Sequence, residues 1–504
     1  MKPLSHLLLF TLLFSTWKAA FSADSLPLWE AMERAAQSNP VIKSQQVEVS
    51  KQMLEQDIAR SQHLPKVDLN AAYTRYAYPT FVTPIREAGV FPPMDRDIAN
   101  LGLALNLPLY SGGKLVAGEA LAAHNREASV QALRAGGQDL LFNVAATYTK
   151  ALHFRQLVKV LDARIKALQQ EEKAIGLHIQ QGRAARLELI RLQTQLSQAR
   201  YDKVSVIQGE KDALSLLASL LGEGGSAPVL SELGATSPDL PVSAEEAMGR
   251  ALQQRPDILR LDAMGKAAQQ KTAIARGDRL PQINLVAKAQ ESTGSDWKGY
   301  DDWQMGVQLS LPVFDGDIRK RRVEQAGLEQ RQNALQQEDA LNRLASEVEQ
   351  AFGALSESRA RLDAATQGET EAVEALRIET LRYHSGENTI TDLLGAESAL
   401  WAATANRLQA GYDITVSQAR LLRAIGELAA DSFRPAEADK KSGLEHSSSG
   451  IDPRTLAQYL AWHRCGMSCG DEPIDRNMNA GISPHLRLTT TGLPGQSIQQ
   501  GARL

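Results

Sequence analysis

The passage "LALNLPLYSGGKLVAGEALAAHN", residues 103–125, alternates apolar and polar residues like a strand as far as Pro108 and, past Gly112 and Gly113, becomes an Ala-rich helical pattern. The passage "VQLSLPVFDGDIRKRRVEQAGLE", residues 307–329, follows the same plan through Pro312 and Gly316. The chain therefore runs a strand straight into a long helix, and does so twice. Heptads on both sides of a Gly-containing tip accompany each passage. In the first copy they run through Leu161, Ile165, Leu168, Ile175, Leu192, Leu196, Ala199, Ala213 and Leu217, and in the second through Leu393, Leu400, Ala410, Leu421 and Leu428. Such spacing predicts two antiparallel coiled-coil hairpins, with tip turns at Gly182 and Gly386. A continuous helix from about Leu115 to Gln181 is on the order of 100 Å long at roughly 1.5 Å per residue, which no compact globular domain holds.

The duplication covers most of the chain. "WEAMERAAQSNPVIKSQQ" from Trp29 aligns with "EEAMGRALQQRPDILRLD" from Glu245, pairing Pro40 with Pro256 and Pro65 with Pro281 at a separation of 216. Pro108 and Pro312, Gly182 and Gly386, and Gly222 and Gly426 are each 204 apart, so the first copy carries twelve extra residues between Pro65 and Pro108. They fall in the aromatic and Pro-rich stretch "YAYPTFVTPIREAGVFPPMDRD". The expected organisation is a first repeat at 24–221, a linker rich in Gly, Ser and Pro at 222–243, a second repeat at 244–430 and a tail at 431–504 without heptads, read as disordered. Each repeat reads helix, two strands, long helix, tip, long helix.

The N-terminus carries Lys2, the apolar run "LLLFTLLF" and small residues up to Ala23, the layout of a secretory signal peptide cleaved near Ser22 or Ala23. No Cys stands at that site to take a lipid anchor, and nothing after it offers the eighteen or more consecutive apolar residues of a membrane-spanning helix. Each strand has one apolar and one polar face, as in Val67, Leu69, Ala71 and Tyr73 against Lys66, Asp68, Asn70 and Ala72. A barrel in lipid alternates in this way, and so does a half-buried soluble sheet. The long helices favour the barrel. Four strands per chain are too few to close one, so chains must share it.

Residues 26–428 resemble the TolC-type outer-membrane channel family, through "LPLYSGGK" and "LPVFDGD", "RPDI" after an opening helix, "LPQINL" before a strand and "YHSGENTITDLLGAESAL" at the second tip. The resemblance implies a membrane α+β fold, with four strands from each chain in a shared twelve-stranded barrel of a homotrimer and a periplasmic α-helical tunnel. It implies an exit duct of a drug-efflux pump or type I secretion system, docking with a periplasmic adaptor and an inner-membrane pump of RND or ABC type. A periplasmic coiled-coil adaptor or scaffold without a pore is the competing reading. It explains the hairpins but not four amphipathic strands in duplicate.

A net charge of −4 argues against a nucleic-acid partner. With no phosphate-binding loop, nucleophile motif or metal cluster in the repeats, the expectation is a conduit without enzymatic activity, cofactor or metal. In the tail, His463, Cys465 and Cys469 match no standard zinc spacing, and a local disulfide or disorder is the expectation there.

The family resemblance places gate contacts just after the tip glycines. Matched position by position, these are Glu188 in the first copy and Asp392 in the second, with Tyr383 as an aromatic partner. The basic position after the second tip is Asn388 here, and a later acidic position is Gly395. A salt bridge at Asn388 is impossible, leaving hydrogen bonds, or Arg183 and Arg186 of the other tip, to hold a closed state. For Glu188 and Asp392 the competing reading is favourable helix N-terminal charge. Pro108, Gly112, Gly113, Pro312 and Gly316 are the expected joints between barrel and tunnel. Arg319, Lys320, Arg321 and Arg322, at a helix start where the dipole disfavours cations, are expected at the inner lipid–water boundary beside phosphate head groups. Tyr73, Tyr76, Tyr78, Phe81, Phe91, Trp297, Tyr300 and Trp303 are expected to form an aromatic girdle, against loop packing as the alternative.

Overall fold

Proline, glycine and cap residues divide each repeat into its elements. Asn39 accepts a hydrogen bond from the Val41 N–H (2.8 Å), and Pro40 opens the following helix. In the second repeat, Ser243 accepts from the Glu246 N–H at 3.1 Å while Glu246 returns to the Val242 N–H at 2.9 Å. A computed structural model of the chain describes residues 25–222, 228–234 and 238–435. The signal-peptide reading at 1–23 and the readings on His463, Cys465 and Cys469 lie outside the described residues.

The first repeat comprises α1 (Leu28–Ser38), α2 (Pro40–Ser61), β1 (Lys66–Phe81), β2 (Met94–Tyr110), α3 (Lys114–Gln180) and α4 (Arg186–Leu220). The second comprises α5 (Ala244–Gln254), α6 (Pro256–Gly277), β3 (Gln282–Thr293), β4 (Gly299–Ser310), α7 (Ile318–His384) and α8 (Ile390–Ile425). Both α3 and α7 are unbroken over 67 residues, about 100 Å at 1.5 Å per residue. The helical-hairpin expectation holds, and Leu161, Leu168, Ile175, Leu192, Leu196, Ala199 and Leu217 of its heptad frame are buried.

The four strands form one antiparallel sheet in the order β1-β2-β3-β4, leaving β1 and β4 as free edges. The twelve-residue insertion lengthens the first pair to 16 and 17 residues, against 12 and 12 in the second. A strand needs about 9–11 residues to cross a bilayer, so all four suffice. The fourth strand differs from the sequence pattern at its end: β4 stops at Ser310, and Leu311 and Val313 continue the alternation without strand pairing. Pro108 stays in register opposite Asn284, and the irregularity follows it, before Tyr110.

Register aligns the apolar faces. Leu69 stands opposite Leu103, Leu103 opposite Ala289, Leu285 opposite Val307 and Ile283 opposite Leu309. Val67, Leu69, Leu101, Leu103, Met305, Val307 and Leu309 are 51–69% exposed. A half-buried soluble sheet covers its apolar face with another layer. This one leaves that face exposed on β1, β2 and β4, with Ile283 and Leu285 of β3 half-buried, and that decides between the two meanings of the alternation.

The main core lies where both repeats meet, around Met32, Val144, Tyr148, Leu217, Leu221, Leu421 and Ile425. Part of the expected linker belongs to it. Leu230 is buried and bridges Leu26 in parallel, and the Tyr148 hydroxyl sits 2.7 Å from the Leu26 carbonyl and 2.8 Å from that of Ser231. The fold also runs beyond the boundary expected at 430. Ala430–Phe433 form a 3-10 turn, Phe433 is buried, and the Arg434 guanidinium lies 4.5 Å from the Trp29 ring centroid. The heptads end earlier because this segment joins the core by single anchors rather than by a stripe; the rest of the tail reading, from 436, lies outside the described residues.

Candidate functional site

The two tips share one backbone plan. Gly182 (φ +69°) and Gly386 (φ +78°) occupy the left-handed region just past α3 and α7. Gly182 donates to the Ile179 carbonyl and Arg183 to that of His178; Gly386 donates to Tyr383 and Glu387 to Arg382. Each pair of bonds closes a helix end in the Schellman pattern, which requires a residue free to adopt positive φ. Six residues beyond each glycine comes a carboxylate, Glu188 or Asp392, in the first turn of the returning helix.

Those carboxylates do different things. Asp392 Oδ2 accepts from the Thr389 N–H (3.0 Å) and hydroxyl (2.7 Å). These hydrogen bonds from Thr389 hold its carboxyl below the usual range. Asp392 thus caps α8. Glu188 follows Ala185, which has no side-chain oxygen to offer, and reaches the Ala185 N–H only at 3.4 Å. Its other oxygen accepts from the Tyr383 hydroxyl at 3.0 Å, joining α4 to α7 across the two hairpins. Burial first, and then the hydrogen bond to Glu188, push the Tyr383 hydroxyl well above its ordinary pKa.

Among the described residues, Asn388 makes no hydrogen bond across the hairpins. Its amide donates to the Glu379 carbonyl (3.3 Å) and to the Glu379 carboxylate, tying the turn to its own helix. Among the described residues, the side chains of Arg183 and Arg186 form no ion pair. Beyond the Glu188–Tyr383 bond, further cross-hairpin contacts come from residues the sequence reading passed over. Arg191 Nη1 donates to Thr391 Oγ1 at 2.6 Å. Higher up, Arg164 faces Glu397 at 3.7 Å. Beside these contacts, Leu168, Ile175, Leu192, Leu196, Ile390, Leu393 and Leu394 form a second apolar core shared by both hairpins.

The joints differ in their surroundings. Gly112 (φ +64°) and Gly113 (φ +79°) precede α3, and a Cβ on Gly112 would lie 2.6 Å from the Gly277 carbonyl oxygen at the end of α6. Lys114 pairs with Asp278 at 3.1 Å over the same contact. Gly316 (φ +67°) and Asp317 (φ +67°) precede α7, and the space beside Gly316 is open. In the basic cluster, Asp315 Oδ2 accepts from the Arg319 N–H (3.2 Å) and side chain (2.9 Å), and Arg321 pairs with Glu324 at 2.9 Å. Asp315 thereby places a negative charge at the α7 N-terminus and offsets the unfavourable dipole. Lys320 and Arg322 have no ion pair among the described residues.

Of the aromatic residues, Trp303 stands opposite Ala289 on the apolar face, whereas Tyr300 stands opposite Ser292 on the polar face. Phe81 and Phe91 stack on each other, with ring centroids 6.3 Å apart, at the end of the long β1–β2 pair.

Comparison with known proteins agrees with this geometry. The family model described as outer membrane efflux protein matches residues 31–223 and 247–427, one segment per repeat. The chain is 24% identical over 427 residues to the outer membrane efflux protein BepC of Brucella suis, covering 84% of this chain and 90% of that one. It is 22% identical over 449 residues to the outer membrane protein TolC of Escherichia coli, covering 86% and 88%. The crystal structure of the outer membrane protein VceC from Vibrio cholerae superposes with a TM-score of 0.69 at 18% identity, covering 79% of this chain and 96% of that one.

Proposed function

This chain belongs to the outer membrane efflux protein family, and from that premise we propose how it builds and closes its channel. It is an outer-membrane channel of the kind that serves tripartite efflux or type I secretion, a passive duct from periplasm to exterior. The observation that carries this reading is the uncovered apolar face of the four-stranded sheet, joined end to end with helices of 67 residues. A scaffold without a pore leaves that face unexplained.

The channel closes as a homotrimer of twelve strands, and the internal repeat supplies the register. Within the chain, Leu105 of β2 stands opposite Ala287 of β3. The repeat separations of 204 and 216 carry these positions to Leu309 and Ala71, so Leu309 at the free β4 edge of one copy faces Ala71 at the free β1 edge of the next. Both lie on the apolar face, as a barrel requires. By the same offsets Gly316, beside open space, meets Ser61 of the neighbour, as Gly112 meets Gly277 within the chain.

Periplasmic adaptor and inner-membrane pump supply the energy and select the cargo. The tips form the gate, in which Tyr383 and Glu188 hold the second hairpin against the first. Lys320 and Arg322 are placed to meet lipid phosphate, and residues 1–23 are removed on export.

Reconstitution tests the reading. Outer-membrane fractions should yield heat-modifiable oligomers, and planar bilayers should show discrete currents. Leu309→Cys combined with Ala71→Cys should cross-link copies into trimers, whereas Leu309→Cys with Asn70→Cys, on the opposite face, should not. A fully soluble periplasmic monomer would end the channel reading. Drug sensitivity or loss of exported proteins in a deletion strain identifies the cargo class.

A further inference from the structure

One guanidinium lies in the seam between the hairpins, above the tips. Arg164, on α3, is 8% exposed at its side chain, and Glu397, on α8, is 15% exposed. Arg164 Nη2 contacts Gln195 Oε1 of α4 at 3.4 Å and Ser398 Oγ of α8 at 3.3 Å, and the guanidinium carbon lies 5.9 Å from the Trp401 ring centroid. Glu397, Ser398 and Trp401 fall on one side of α8, so a single side chain of the first hairpin holds three residues of the second. Glu397 sits six residues beyond Thr391, about 9 Å further along α8 from the tip contacts.

We propose that Arg164 and Glu397 form an upper latch, a second tier of closure that keeps the second hairpin in register with the first independently of the Glu188–Tyr383 contact at the tip. This rests on the gating reading above. The chemistry is that of a buried ion pair, whose worth lies less in net stability than in the penalty for separating its members. When α8 moves away, Arg164 loses Glu397, Ser398 and Trp401 together and keeps Gln195 of its own hairpin. The closed contact is also loose. Among the described residues, Arg164 Nε, Glu397 Oε1 and the neighbouring Glu171 Oε2 are buried without hydrogen-bond partners. Burial raises the Glu397 carboxyl above its usual range, opposed by Arg164 and reinforced by Glu171, the charged groups that face it. A latch made in this way separates more readily than a fully bonded pair.

The test is a mutant cycle on the full-length protein in planar bilayers, with oligomer heat stability measured in parallel. Arg164→Gln and Glu397→Gln should each raise the resting conductance several-fold, and the double variant no further than either single, because both remove one contact. Arg164→Lys, which keeps the charge but not the span across three helices, should fall between Arg164→Gln and the parent. Parent-level conductance in both single variants overturns the latch. So does a conductance rise that is additive in the double variant and tracks loss of heat stability, since that marks ordinary packing. Tyr383→Phe in the same membranes separates the two readings. If it raises conductance and the Arg164 and Glu397 variants do not, the latch alone fails; if none of them does, the gate at the tips fails with it.

Discussion

The two hairpin tips are built on one backbone and assign their carboxylates differently. Both turn through a left-handed glycine with the same pair of closing bonds, and both place an acidic residue six positions later. At the second tip Thr389 engages Asp392, and the charge is spent inside its own helix. At the first tip Ala185 offers no side-chain oxygen, and Glu188 turns to Tyr383 of the other hairpin. One residue at the helix cap decides whether the neighbouring acid serves its own helix or the contact between hairpins. The joints repeat the lesson: Gly112 is enclosed by Gly277, while the space beside the equivalent Gly316 is open.

The strongest way to break this comparison is at the joints. Gly112→Ala should cost more than the roughly 1–2 kcal/mol of forcing an L-residue into the left-handed region, because its Cβ also meets the Gly277 carbonyl. In an isolated monomer Gly316→Ala should cost only that penalty. Thermal unfolding of each, read as monomer and as assembled oligomer, checks the difference, which should narrow on assembly.

Next in size is the tip contact. Tyr383→Phe and Glu188→Gln should each weaken closure by about 1–2 kcal/mol, the scale of a part-buried hydrogen bond to a charged acceptor, and raise resting conductance several-fold. Asp392→Asn should lower helix stability slightly and leave the current near that of the parent. Equal effects at Glu188 and Asp392 would erase the distinction between the tips.

Acidification gives a finer test. The raised Glu397 carboxyl means that the folded chain takes its proton at higher pH than the unfolded chain, so its ionised form weighs against folding and neutralising it does not. For Asp392 the sign is opposite, because a depressed carboxyl contributes stability present above its unfolded value and lost as pH falls through its folded one. On lowering pH, protonation of Glu397 should therefore leave helix content intact, and the fall should come later, where Asp392 takes its proton, and be smaller in Asp392→Asn. Circular dichroism over one pH series, on the parent and on Asp392→Asn, checks the order.

The smallest effect is constructive. Ala185→Ser should give α4 a side-chain cap worth about 0.5–1 kcal/mol, drawing the first tip toward the design of the second. Thermal melts check the gain.

Some of this was legible from local pattern. Repeated Pro and Gly spacings, period-two strands and heptads are properties of neighbouring residues, so the order of elements and the hairpins at Gly182 and Gly386 could be read directly. The tip contacts were legible in part: Glu188 and Tyr383 meet, while Asn388 turns back to Glu379. Arg164 was not legible. Its Ser398 contact lies 234 positions away, and beside Leu161, Ile165 and Leu168 it reads as a flanking charge on a coiled coil. Tyr148 is similar, since its hydroxyl anchors two extended segments that periodicity does not describe.

The sequence by itself determined the duplication, the four strands, the long helices and the place of each turn, because these follow from short-range backbone preference and from which face is apolar. Only the tertiary structure decided that the apolar sheet face is left uncovered, that Glu188 rather than Asp392 reaches across, and that Arg164 bridges the hairpins. Those outcomes depend on which surfaces two distant segments bring together, and a side chain's partner is fixed by that meeting and not by its neighbours along the chain.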